Sequence, residues 1–118
     1  VQPDDDGPDD GPDDVITAPA DGEVVRTFVD GVAVAVWNVA GTLHAVGDVC
    51  PHRGWILSEG PLERDARGDV HVVCPGHHWR FSLTDGECAF SPERLPVFRC
   101  VPVDGSSQRV RLVPVPVT

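Results

Sequence analysis

Val24 to Val46 reads VVRTFVDGVAVAVWNVAGTLHAV. Val24–Val29 is β-branched and aromatic, and Asp30-Gly31 is a two-residue hairpin signal. Val32–Trp37 alternates Val with Ala and closes on an aromatic ring. Asn38–Gly41 turns the chain, and Thr42–Val46 returns as a hairpin partner. The same punctuation continues outward. Val70–Val73 and Trp79–Leu83 read as short strands, followed by the turn Thr84-Asp85-Gly86-Glu87. Leu95–Val103 and Arg109–Val113 flank Asp104-Gly105-Ser106-Ser107, another hairpin signal. Twelve Pro and twelve Gly leave no room for a long helix. A single helical turn is predicted at Pro61–Asp65. The chain is expected to be an antiparallel all-β domain of short strands, without internal repeats.

The 118 residues suffice for one domain with a modest core. The formal net charge of −10 is unevenly spread. Residues 1–14, VQPDDDGPDDGPDD, hold seven Asp and no basic residue. With almost no apolar side chain to bury, this tail is expected to be disordered, either solubilising or steering toward a basic partner. Residues 15–118 are only mildly acidic, which argues against nucleic acid as a partner. The longest apolar run, Val32–Trp37, is far short of a membrane span, and no secretory signal is expected. A cytoplasmic location follows as the expectation.

Two loops carry the chemistry. Cys50-Pro51-His52-Arg53-Gly54 and Cys74-Pro75-Gly76-His77-His78 each place a Cys and a His in one tight turn after a β-like run. Two thiolates and two imidazoles suit zinc or an iron–sulfur centre. A zinc finger usually takes both sulfurs from one knuckle and both imidazoles from a helix. Here each loop offers one of each, which fits a cluster with two chemically distinct irons better.

These loops, CPHRG and CPGHHWRFSLTDGE, resemble those of Rieske-type [2Fe-2S] proteins. The similarity includes the lead-in Ala45-Val46-Gly47-Asp48-Val49, the run Leu57-Ser58-Glu59-Gly60 and the stretch Asp85-Gly86-Glu87-Cys88. It implies that Cys50 and Cys74 bind the inner iron, and His52 and His77 the outer iron near the surface. Arg53, Gly54, Trp55, Gly76, His78 and Trp79 flank these ligands. It also implies three small antiparallel sheets, with a cluster-binding subdomain at about residues 47–84 inserted in a basal domain within 15–118.

Departures from the family pattern narrow the type. Respiratory relatives carry an extra Cys in each loop, forming a bridge; the matching positions here are Trp55 and Gly76. Their Ser and Tyr hydroxyls near the cluster are matched here by Trp79 and Phe81, which offer none. Fewer hydrogen bonds to sulfur disfavour the reduced cluster, so a potential of roughly −150 to 0 mV is expected. His78 reads as a solvent-facing neighbour, with an alternative ligand or a proton relay as the sharper options. His44 and His71 read as surface or hydrogen-bonded side chains. Trp55 and Trp79 read as packing that also shields the cluster. Cys88 and Cys100 read as buried thiols, with a bridge between them as the alternative.

The resemblance implies a ferredoxin-like one-electron carrier rather than an enzyme, working between a flavin/NAD(P)H-dependent reductase and a terminal oxygenase. The stretch His77–Glu87 is also similar to the small subunit of assimilatory NAD(P)H nitrite reductase, which would make the partner that enzyme's large subunit. A structural zinc or redox-sensing module is a third possibility. The sequence does not set the oligomeric state.

Overall fold

The computed structural model describes residues 15–50, 54–76, 78–88, 91–103 and 108–115. The predicted turn at Asp104–Ser107 and the acidic segment 1–14 lie outside the described residues, as do Pro51, His52, Arg53 and His77.

The hairpin signals hold. Strand β2, Val24–Val29, pairs in full antiparallel register with β3, Val32–Val39. Between them Asp30 and Gly31 both have positive φ, 51° and 82°, as a type I′ turn requires. The turn from β3 to β4, Thr42–Gly47, is tighter than the predicted Asn38–Gly41. It consists of Ala40 and Gly41, at φ 53° and 90°. Asn38 stays in its strand. Its amide accepts from the Gly41 N–H and donates to the Pro19 carbonyl, both at 2.9 Å.

Strand β1, Val15–Thr17, joins β10, Val97–Pro102, and β11, Arg109–Pro114, with these three in one sheet. Its order is β1-β11-β10-β4-β3-β2. The seam between β10 and β4 has just two residue pairs, Val97↔Val46 and Phe98↔Ala45. The basal part is thus two three-stranded leaves joined at a short seam, which is how three expected sheets become two continuous ones. The second sheet is β5-β6-β7-β8-β9 in sequence order. Its strands are Leu62–Arg64, Val70–Val73, Arg80–Ser82, Glu87–Cys88 and Ser91–Arg94. All pairings are antiparallel.

The helical turn predicted at Pro61–Asp65 is a correction. Leu62–Arg64 is β5, paired with Val70–Val72, and the one short helical turn among the described residues is a 3₁₀ turn at Leu57–Glu59. Cross-strand bonding to β6 overrides the local preference. The hairpin is closed by Asp65, whose carboxylate accepts from the N–H groups of Arg67 and Asp69 at 2.8 and 3.0 Å.

The Val/Ala alternation of β3 has a physical purpose. Val34 and Val36 enter one core with Val29, Ala45, Phe98, Val110 and Leu112. Ala35 and Trp37, pointing the other way, enter a second core with Val46, Leu57, Val72, Phe81, Leu83, Leu95 and both Cys50 and Cys74. The central strand is therefore buried on both faces, and the second core welds the two sheets together. Among the described residues, no helix is long and apolar enough to cross a membrane.

Candidate metal centre

The two loops are built on one backbone plan. In the first, the Cys50 N–H donates to the Trp55 carbonyl at 2.8 Å, and the Gly54 N–H donates to the Cys50 carbonyl at 2.8 Å. In the second, the Cys74 N–H donates to the Trp79 carbonyl at 2.8 Å, and the His78 N–H donates to the Cys74 carbonyl at 2.9 Å. Gly54 and His78 hold equivalent positions, and both are left-handed, at φ 76° and 65°. This explains His78 better than ligation does. It fills a turn position that favours glycine, and its side chain is exposed. His is among the residues more often found there than β-branched ones.

Each loop is anchored from below. The second forms the tip of the β6–β7 hairpin, between Val73 and Arg80. The first leaves β4 through Asp48, which is fully buried. The Asp48 carboxylate accepts from the Ser58 N–H at 2.6 Å and the Ser58 hydroxyl at 2.8 Å, and it is ion-paired to the Arg26 guanidinium on β2. The Asp48 backbone N–H donates to Ala33, and its carbonyl accepts from Leu57, both at 2.9 Å. One side chain thus ties loop entry to loop exit and both to the basal sheet. In the sequence Asp48 stands out only as part of the lead-in to the first loop. The signal that could have found it is an acidic residue inside an otherwise apolar run, followed ten positions later by Ser58.

The loops also meet each other. The Val73 N–H donates to the Pro61 carbonyl at 2.9 Å, bringing the exit of the first loop alongside the second. The Trp55 ring lies against Gly76 so closely that a Cβ there would fall 2.0 Å from its Nε1. Cys50 and Cys74 sit at equivalent positions, 1% and 0% exposed, in the same core. The donor chemistry fits an iron–sulfur cluster: two soft sulfurs shielded from water, at matched points of two facing loops.

The other expected site residues divide. His52, Arg53 and His77 lie outside the described residues. Trp79 packs half-buried against the second core, whereas Trp55 remains 49% exposed. Phe81 is fully buried and, like Trp79, brings no hydroxyl. Arg80 donates to Glu63 at 2.7 Å on the exposed face of the second sheet. None of the four cysteines is in a disulfide. Cys88 lies in the second core, while Cys100 packs on the first, where burial raises its thiol pKa above the ordinary value. His44 donates to the Leu83 carbonyl; burial holds its pKa below the ordinary imidazole value, aided by the Arg64 charge.

Two antiparallel sheets sharing a core, with paired Cys-bearing loops that bury both sulfurs in it, define an all-β domain of the kind that can hold a metal–sulfur centre. Residues 13–102 match the family described as the Rieske [2Fe-2S] domain, and the chain belongs to that family. Its cofactor is accordingly a Rieske-type [2Fe-2S] cluster. The chain is 35% identical over 78 residues to the ferredoxin component of biphenyl 2,3-dioxygenase from Rhodococcus jostii, covering 66% of this chain and 68% of that one. It is similar to a structure described as the NADH-dependent nitrite reductase small subunit of Mycobacterium tuberculosis, with TM-score 0.71 and 30% identity, covering 87% of this chain and 96% of that one. It is also similar to the ferredoxin-containing complex of carbazole 1,9a-dioxygenase, with TM-score 0.66 and 28% identity, covering 86% and 94%.

Proposed function

We propose that the chain is a one-electron carrier between a flavin/NAD(P)H-dependent reductase and a terminal oxygenase, with no catalytic residue of its own. The observation that carries this reading is the matched burial of Cys50 and Cys74 at equivalent points of two tip loops. The similarity to ferredoxin components of dioxygenase systems supports it. In this reading Cys50 and Cys74 hold the inner iron, and His52 and His77 the outer iron. The [2Fe-2S] cluster, when bound, accepts and releases a single electron. The chain's own residues hold the two sulfurs out of water, fix the loops through Asp48, and cover the site with Trp55 and Trp79. Residues 15–118 form the domain, with the cluster-binding insert at about 47–84, residues 1–14 are an acidic tail, and the protein works in the cytoplasm.

The test joins spectroscopy to turnover. Purified protein is assayed for iron and zinc, and its EPR spectrum is recorded before and after dithionite. A silent oxidised form giving a rhombic, low-average-g signal on reduction is expected. The reduced protein should then be reoxidised rapidly by a ring-hydroxylating oxygenase in stopped flow. One zinc per chain and no iron, after anaerobic reconstitution, would overturn the proposal.

A second reading has its own observation. Phe28 near the β2–β3 turn, and Val49 and Trp55 on the first loop, are all exposed. The Asp48 N–H bond to Ala33 holds these two segments side by side. Exposed apolar side chains on neighbouring segments suit a permanently docked subunit, as in nitrite reductase. Co-purification with a large flavoprotein separates this from a diffusing carrier.

A further inference from the structure

We infer that Trp55 is a positioning residue that clasps the two cluster loops together without a covalent link, and that Gly76 is its required seat. The inference rests on Cys50 and Cys74 being the sulfur ligands. A Cβ on Gly76 would lie 2.0 Å from Trp55 Nε1, 2.1 Å from Cε2 and 2.3 Å from Cδ1. Each distance is far below van der Waals separation, so any other residue at 76 must push the indole away. The ring and its seat are 21 positions apart, one in each loop. Their packing therefore runs from one loop to the other rather than along one segment.

The two loops share a backbone plan but not a side-chain plan. Trp79 occupies in the second loop the position that Trp55 occupies in the first. Trp79 turns into the second core, and it contributes to packing there. Trp55 does not. It is 49% exposed and absent from the core residues, so the core does not explain a tryptophan at this position. What its ring does cover is the backbone of Gly76, two residues beyond Cys74 and one before His77. A large rigid ring on this segment restrains the second loop relative to the first at low entropic cost, since Trp has only two side-chain torsions. The clasp holds Cys50 and Cys74 at a fixed separation and slows the loop opening through which solvent reaches the sulfurs.

The test is a double-mutant cycle on the holoprotein: wild type, Trp55→Ala, Gly76→Ala, and the double variant. Two readouts are taken, the rate of iron release to a chelator and backbone hydrogen exchange across 54–56 and 74–79. Trp55→Ala should speed iron release by roughly tenfold or more, because the indole no longer packs on the second loop. Gly76→Ala should do likewise with the indole still present. The double variant should be no worse than Trp55→Ala, because the added methyl then has no ring to displace. Trp55→Phe, which keeps a ring, is the fallback if Trp55→Ala fails to fold. Wild-type release from Trp55→Ala, or a Gly76→Ala defect undiminished in the Trp55→Ala background, overturns the clasp. Wild-type protein that assembles no cluster overturns the ligand reading instead, and the exchange cycle still decides the clasp.

Discussion

Removing Arg26 should cost more stability than its position on a partly exposed edge strand suggests. Arg26 is 40% exposed, but the Asp48 carboxylate it pairs with is 0% exposed. Breaking a buried ion pair from one side generally costs roughly 3–5 kcal/mol, because a charge stays behind in a poorly solvating site. Two features reduce that here. Asp48 keeps its two bonds from Ser58, and water can enter where the Arg26 side chain was. About 2–3 kcal/mol is therefore expected for Arg26→Ala. Asp48→Asn removes the charge and aims an amide donor at one of three existing donors, for about 1–3 kcal/mol. The double variant no longer buries a charge. Its cost should fall short of the sum of the singles by at least about 1 kcal/mol. Anaerobic urea unfolding, followed by far-ultraviolet circular dichroism and by the visible absorbance of the cluster, measures all four proteins. Visible absorbance should be lost at lower urea than the far-ultraviolet signal in the single variants, since Asp48 anchors the first loop. Simple additivity of the two substitutions would refute the reasoning, as would an Arg26→Ala cost below about 0.5 kcal/mol, the range of ordinary surface changes.

Three other outcomes are expected. Burial lowers the His44 pKa in the fold, so between the folded and unfolded values the unfolded chain binds more protons; the stability is full well above the ordinary imidazole pKa of about 6.5 and is lost as pH falls through it toward the depressed folded value. The stability difference between wild type and His44→Gln should show that slope, and parallel pH profiles would exclude it. Ala40 holds a left-handed conformation at φ 53°, so Ala40→Asn should raise stability by roughly 0.5–1 kcal/mol in urea titration. Cys50→Ser and Cys74→Ser should each abolish the visible cluster spectrum. The basal sheet should survive, because its own core contains neither residue, and far-ultraviolet circular dichroism monitors it.

The hairpins were legible in the sequence because their turns are local events. Asp30-Gly31 specifies a I′ turn whatever surrounds it, and Val24–Val29 and Val70–Val73 are strands by composition and length alone. The loop motifs were legible for the same reason: a Cys, a His, and the Pro and Gly that bend the chain fall within a few positions. What local chemistry cannot convey is pairing between distant segments. Leu62–Arg64 carries no strong strand signal and becomes β5 only because β6 offers it a ladder. Glu87–Cys88 and Ser91–Arg94 likewise owe their extended form to the sheet they join. His78 illustrates the boundary in one residue. Its sequence position is compatible with neighbour, ligand or relay, whereas its backbone angle shows it filling the same turn position as Gly54.

By itself, then, the sequence determined that this is an all-β chain with two Cys/His loops and the chemistry those loops can hold. Tertiary structure alone decided that Asp48 is buried beneath the first loop on Arg26 and Ser58, and that the Trp55 ring closes on Gly76 while Trp79 turns inward. The reason is physical. Turn and strand preferences depend on neighbours along the chain, whereas burying a charge or seating a ring depends on which distant backbone happens to lie beneath it.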